Sequence, residues 1–264
     1  MLFEREKREK KPLTLVVPKN STLSFQLRMN HVFGAQINNF PLKDDDFLLR
    51  FLAIEIGTAV SQILQIVVIE SGQIVNLDHG YFLTCKNNKH IPEGSVAYKL
   101  IYTKVKLDVN KAQNLGIPFD YTLKKIERNS DSVVINGQKI SRSDIFHDID
   151  IILGYSGDTA IDSDLLEFFK DCGILIHDST YFDNQEGYHL DLHSDLQSII
   201  RAIHDFENLY VFIPIHFSIR YTAEEIIQEI KSIPKQKFPV INPLKNILLH
   251  IDHKSIVTCI KKPD

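Results

Sequence analysis

Cysteine is scarce in this chain and is not arranged for disulfides or for a cysteine metal site. The three cysteines, Cys85, Cys172 and Cys259, lie far apart and contain no CxxC pair. An odd number of widely spaced thiols gives no disulfide framework. We therefore expect buried, free thiols in a reducing compartment and a cytoplasmic protein.

The chain also lacks a long uninterrupted apolar segment and an excess of one charge. The longest apolar run, Phe47 to Ile69, is broken by four polar residues: Arg50, Glu55, Gln62 and Gln65. A buried helix or helix–strand pair is favoured there over a membrane span. Residues 1–11 are charged and are not followed by the apolar core of a secretory signal, so they are expected to be a frayed lead-in. The net charge of −4 gives no global attraction to nucleic acid.

What is present is the composition of an ordinary globular protein. The 264 residues are 44% hydrophobic and 24% charged, which suffices for a substantial core. We predict one domain spanning residues 1–264, without a membrane segment.

Three strand-like segments in the second half of the chain end on polar residues. Ile149–Gly154 leads into Tyr155–Thr159, Gly173–Ile176 into His177–Tyr181, and Leu209–Ile215 into His216–Tyr221. Helix-like segments separate them, so the local order is β-α-β-α-β and the fold class is α/β. The ends of successive parallel strands fall on one edge of a sheet, where their loops converge.

Turn and cap signals predict several local structures. Hairpins are predicted at 66–77, around Ser71-Gly72, and at 132–140, around Asn136-Gly137. Ser194 with Gln197, and Thr222 with Glu225, match the capping box at the start of a helix.

The polar strand ends supply candidate metal ligands. Asp158 lies in a turn after a strand, His216 directly follows a buried strand, and His90 lies in a loop between two strands. Two imidazoles and one carboxylate make a partial Zn²⁺ set, and zinc makes water a nucleophile at neutral pH. Each residue alone has a structural explanation, such as a helix cap or a strand-end histidine; their joint occurrence favours a site.

Three further titratable groups lie close in sequence to these ends. They are candidates for proton delivery or for support of the ligands, and they are His177, Asp178 and His193.

Taken together, these segments resemble ribonuclease Z, the endonuclease of transfer RNA 3′ ends in the metallo-β-lactamase superfamily. Five segments are similar to the family motifs KHxxPSxGYR, YSGDT, HEATF, HS(T) and HFSSRY; they are 89–99, Tyr155–Thr159, His177–Tyr181, Leu192–Ser194 and His216–Tyr221. Asp178 stands where the family has glutamate. The resemblance implies an αββα sandwich.

The resemblance also implies a role for each matched residue. Asp158 would bridge two zinc ions, with His90 as a ligand of the first ion and His216 as a ligand of the second. His193 would be the catalytic residue that gives a proton to the leaving oxygen. The implied cofactor is Zn²⁺ and the implied partner is a transfer RNA precursor.

The sequence departs from the family in two places. The 264 residues contain no HxHxDH motif, which in the family supplies two ligands for each zinc and the general base. Little room for the family's Gly-Pro-rich arm remains between Pro118 and Ser132. We therefore expect a fold that is incomplete at its N-terminus and lacks its first strands. Each metal would keep about half of its ligands, so the isolated chain is expected to be impaired or inactive.

Several explanations remain open from the sequence. The chain is a fragment of a true ribonuclease Z, a natural half that forms a homodimer or is completed by a separate chain carrying HxHxDH, or a non-catalytic pseudo-enzyme that binds RNA or protein. A different metallo-β-lactamase phosphodiesterase, acting for example on cyclic nucleotides, is a further enzymatic alternative.

Overall fold

A computed structural model describes most of the second half of the chain and parts of the first. The described residues are 13–19, 64–90, 95–119, 132–135, 137–183, 191–244, 247–251 and 257–261, together with Leu123 and Ile126. The lead-in predicted for residues 1–11 lies outside them. So does the buried helix predicted after Phe47.

Strands dominate the described residues. They are β1 (Leu13–Pro18), β2 (Leu64–Ile69), β3 (Ile74–Asn76), β4 (Tyr81–Asn87), β5 (Val96–Leu107), β6 (Val133–Ile135), β7 (Gln138–Ile140), β8 (Phe146–Tyr155), β9 (Ile174–Asp178), β10 (Val211–Ile215), β11 (Ile247–Ile251) and β12 (Val257–Lys261). The helices are α1 (Val109–Asn114), α2 (Arg142–Ile145), α3 (Ser163–Phe169), α4 (Leu196–Ile203) and α5 (Ala223–Ser232).

Six of these strands form one mixed sheet in the order β10-β9-β8-β5-β4-β3. Strands β8, β9 and β10 are parallel, with Ile174 opposite both Leu153 and Val211, whereas β5, β4 and β3 continue the sheet antiparallel to their neighbours. The prediction of an α/β fold with three parallel strand ends on one edge is confirmed.

The main core joins helices α3 and α4 to this sheet. Helix α4 buries apolar residues at helical spacing, namely Leu196, Ile199, Ile200 and Ile203. Phe169 of α3 packs closely against β8, because a Cβ atom on Gly154 would lie only 2.7 Å from the Phe169 ring. The helices are thereby fixed on the strands whose ends carry the candidate ligands.

Two of the local predictions are confirmed and two are wrong. Strands β6 and β7 pair antiparallel as predicted, and Thr222 and Glu225 form the predicted capping box of α5. Strands β2 and β3 do not form a hairpin: β2 pairs parallel with β1, and β3 pairs with β4. Asp195, rather than Ser194, caps α4 by accepting from the backbone N–H of Ser198 at 2.8 Å.

No helix in the described part of the chain is a candidate for crossing a membrane. None of its helices combines the length and the apolar character that crossing a bilayer requires.

The packing of Phe169 generates a stability prediction. Phe169 is fully buried, whereas Phe119 is 53% exposed. We expect Phe169→Ala to lower the free energy of unfolding by about 3–5 kcal/mol, because it removes apolar burial and leaves a cavity. Urea denaturation followed by circular dichroism measures this change. Phe119→Ala is the control, expected to stay within about 0.5 kcal/mol of the parent chain, and equal effects of the two substitutions would contradict the assigned core.

Candidate metal centre

The structure brings the four predicted site residues together at the edge where the parallel strands end. His216 Nε2 lies 3.3 Å from Asp158 Oδ2. The His216 ring stacks on the His193 ring, with centroids 5.1 Å apart and planes inclined by 16°. The His193 ring lies 4.8 Å from the His90 ring. Residues that are far apart in the sequence thus form one continuous group.

The loop that carries Asp158 is fixed by the strands beside it. The backbone N–H of Ser156 donates to Ile176 O at 3.0 Å, and the Asn88 side chain donates to the carbonyls of Ser156 at 2.8 Å and of Asp158 at 3.2 Å. Gly157 adopts a φ of 62°, and a Cβ atom there would lie 3.1 Å from Val96 O. Glycine therefore lets the loop turn in contact with β5, which aims the Asp158 carboxylate at the site.

The loop before His90 is held by an ion pair and a hydrogen bond. Lys89 pairs with Asp162, the N-cap residue of α3. The hydrogen bond from Lys89 lowers the pKa of Asp162, and the same bond raises the pKa of Lys89. His90 Nδ1 lies 3.1 Å from Leu192 O. Because a carbonyl only accepts, Nδ1 carries the proton and Nε2 keeps the lone pair that a metal requires.

His216 occupies an uncommon backbone conformation. Its φ is 63°, in the left-handed region that non-glycine residues seldom adopt. Such conformations cost on the order of 1–3 kcal/mol and concentrate at functional sites. The chain on both sides is secured, because Ser179 N–H donates to Ile215 O and Ser218 N–H donates to Thr180 O, each at 2.9 Å.

Asp178 is the buried acceptor at the centre of the group. Its side chain is 0% exposed and accepts four hydrogen bonds. Oδ1 accepts from the Thr180 N–H at 2.8 Å and the Thr180 hydroxyl at 2.7 Å, and Oδ2 accepts from the Thr159 N–H at 3.0 Å and His193 Nδ1 at 2.8 Å. A carboxylate offers about four lone-pair positions. All four are filled, which leaves Asp178 to orient its neighbours.

One trio and one pair of side chains at this edge of the sheet are close enough to share a metal ion. The ligand atoms of Asp178, His193 and His216 all lie within 4.8 Å of one another, but the Asp178 oxygens are already occupied by hydrogen bonds. Tetrahedral zinc with bonds of about 2.0–2.1 Å places neighbouring ligand atoms about 3.3–3.4 Å apart. The 3.3 Å between His216 Nε2 and Asp158 Oδ2 fits that spacing, so this pair suits a shared ion.

His177, a candidate for proton delivery, lies away from the group. Successive residues of a strand point to opposite faces, so His177 faces the core while Asp178 faces the site. Its ring meets the edge of Phe169 at 6.3 Å, and its Nδ1 donates to Asp178 O at 2.8 Å. Burial lowers the pKa of His177.

Several residues that shape the site had no role in it predicted from the sequence. Thr180 contacts Asp178 and both neighbouring histidines, Asn88 ties the His90 loop to the Asp158 loop, and Ser194 donates its hydroxyl to Thr159 O at 2.7 Å. The one available signal was the spacing of Thr180 two residues after Asp178, since short polar side chains often bond locally at that distance.

Comparison with known proteins identifies the relatives of this chain. No family model matches it. A curated ribonuclease Z of Methanocaldococcus jannaschii is 29% identical over 151 residues, 54% of this chain and 47% of that protein. A curated ribonuclease Z of Nitrosopumilus maritimus is 28% identical over 153 residues, 57% of this chain and 51% of that protein. The chain is similar to ribonuclease Z.

The similarity to ribonuclease Z has a limited extent. The chain spans about half the length of the curated ribonucleases Z that it matches.

Among solved structures, a metallo-β-lactamase fold protein, YhfI from Bacillus subtilis, matches with 10% identity and a TM-score of 0.48, over 91% of this chain and 66% of that one.

The buried His177 predicts a pH dependence of stability. Its pKa is lowered in the folded state, so the unfolded chain binds a proton that the folded chain excludes. The associated stability is complete above about pH 6.5 and is lost as the pH falls below that value. We expect His177→Asn, which keeps a donor but cannot be protonated, to weaken the decline in the free energy of unfolding between about pH 7 and pH 5.

Urea denaturation at a series of pH values measures this dependence. His147→Asn is the matched control, because His147 is exposed, and it should keep the parent slope. A His177→Asn chain with the parent slope would show that His177 is not the buried neutral base described here.

Proposed function

We propose that this chain provides part of a zinc-dependent ribonuclease Z-type centre. The proposed domain spans residues 1–264, and the proposed location is the cytoplasm, a reducing compartment in which its free thiols would persist. Its ancestral reaction is endonucleolytic removal of 3′ trailers from transfer RNA precursors. The observation that carries the proposal is the 3.3 Å approach of Asp158 and His216 at the strand edge. Similarity to curated ribonucleases Z supports an RNA substrate.

The proposed metal ligands are His90, Asp158 and His216. When bound, zinc supplies a nucleophile at neutral pH and polarises a phosphoryl oxygen. Asp158 and His216 are both partly exposed, at 38% and 42% of their side chains, which leaves them accessible to an RNA phosphate. His90 Nε2 is free of the hydrogen bond that occupies Nδ1.

His193 is the proposed proton donor. Asp178 accepts from its Nδ1 and so fixes the ring, leaving Nε2 as the nitrogen that can serve the substrate. In the cleavage, a water oxygen would bond to phosphorus as the bond between phosphorus and the 3′ oxygen of the transfer RNA breaks, and the trailer would keep the phosphate. A His193 ring protonated on both nitrogens would give its Nε2 proton to the departing 3′ oxygen and complete the 3′-hydroxyl. The stacking of the His193 ring on the His216 ring supports a proton donor beside the proposed ligand pair.

The 264 residues alone are proposed to be inactive or nearly so. They contain no HxHxDH motif, and a half-complete ligand set binds zinc weakly because affinity rests on ligand number and a preformed geometry. A separate chain that carries HxHxDH would complete the centre, whereas a second copy of the 264 residues would bring no such motif.

Metal content and RNA cleavage test this proposal together. For the purified chain we expect less than about one tightly bound zinc per protomer by mass spectrometry and background cleavage of a precursor with a 3′ trailer. Adding a polypeptide that carries HxHxDH should raise both. Asp158→Asn and His216→Gln should abolish the gain, whereas Asp205→Asn and His204→Gln, at exposed positions away from the site, should keep it.

Two results would contradict the proposal. A chain that alone holds a full zinc complement and cuts the precursor would refute the predicted inactivity. A chain that binds neither zinc nor precursor, even with the HxHxDH polypeptide present, would remove the enzymatic function and favour a non-catalytic protein.

A further inference from the structure

Thr180 lies between the buried carboxylate and the proposed metal ligand. The residue is 6% exposed, and Oγ1 lies 2.7 Å from Asp178 Oδ1 and 2.9 Å from His216 Nδ1. We propose that Thr180 is a positioning residue that holds His216 in the tautomer with the proton on Nδ1 and the lone pair on Nε2. That tautomer is the one that presents a metal-binding nitrogen to Asp158.

The direction of the hydrogen bonds follows from what each atom can do. The Thr180 hydroxyl has one proton, and a bond to a carboxylate is about twice as strong as a bond between neutral groups. The proton therefore goes to Asp178 Oδ1, where the contact is also the shorter of the two. Thr180 Oγ1 is left as an acceptor toward His216. A bare Nδ1 at 2.9 Å would set two lone pairs against each other, so Nδ1 carries the proton.

The opposite tautomer has a strong competing partner. Asp158 Oδ2 lies 3.3 Å from His216 Nε2 and would accept a proton placed on that nitrogen. A proton on Nε2 would block the lone pair that a metal ion needs. Among the residues that the structure describes, Thr180 Oγ1 is the one acceptor within hydrogen-bond distance of Nδ1, since Asp178 Oδ2 lies 3.9 Å from it.

One carboxylate thus sets the orientation of both neighbouring rings. Asp178 Oδ2 accepts from His193 Nδ1 directly, and Oδ1 acts on His216 through Thr180. Both rings consequently turn their Nε2 atoms away from Asp178. The metal-binding part of this inference rests on the proposed function; the tautomer does not.

Threonine substitutions with a spectroscopic readout test the role of Thr180. Long-range ¹H–¹⁵N spectra of the metal-free chain, labelled in histidine, report which ring nitrogen carries the proton, and His216→Gln assigns the His216 signal. We expect Nδ1–H in the parent chain and in Thr180→Ser, and Nε2–H in Thr180→Val. Zinc affinity, measured by competition with a chelating dye, should fall about 10–100-fold in Thr180→Val and recover to within about threefold in Thr180→Ser.

Thr84→Val is the matched control, because Thr84 is also a buried threonine with 6% exposure but lies in β4. It should leave the tautomer and the zinc affinity unchanged. An Nε2–H signal for His216 in the parent chain overturns the proposal even where Thr180→Val does not fold. An unchanged tautomer in folded Thr180→Val overturns it whatever the zinc affinity. Neither readout requires RNA cleavage, so a failure of the proposed reaction is distinguishable.

Discussion

The hydrogen bonds to the buried carboxylate of Asp178 are the interactions on which the rest of the site depends. A charged group removed from water is tolerated only where donors replace its hydration. Here the donors come from three segments: the loop after β8, the loop after β9, and the segment before α4. Satisfying one carboxylate therefore fixes Thr159, Thr180 and His193 relative to each other. A missing donor would leave part of the charge unpaired, so the three segments are constrained together.

The parallel sheet extends this constraint beyond its strands. Ser156 donates to Ile176 O and Ser179 donates to Ile215 O, so sheet-like hydrogen bonds continue for one residue into the loops. Side chains carried on such extensions are held more precisely than those on free loops. The aligned Asp158 and His216 groups are therefore a property of the sheet as well as of the loop sequences.

The broad arrangement was predictable because connectivity determines it. A β-α-β-α-β order sends each strand end to the same edge, which brings Asp158, His193 and His216 together whatever the loop details. The finer features were decided by competition between similar groups. Ser194 and Asp195 are both residue types that cap helices, and the Ser194 hydroxyl donates instead to Thr159 O. The strand that pairs with β2 is β1, which is far away in the sequence, whereas the short turn after β2 had predicted pairing with β3. The role of Thr180 was not predictable because it depends on a contact with His216, which is distant in the sequence.

The left-handed backbone conformation of His216 lowers the stability of the fold, while the imidazole ring at the same residue is the group available for chemistry. Glycine is the residue that adopts this conformation without strain, so glycine at position 216 would relax the backbone and remove the imidazole in one step. A chain in which the His216 ring served no purpose would gain stability from that exchange, a trade-off known for strained active sites. Histidine at this position therefore lowers the folding stability by an amount that glycine would not.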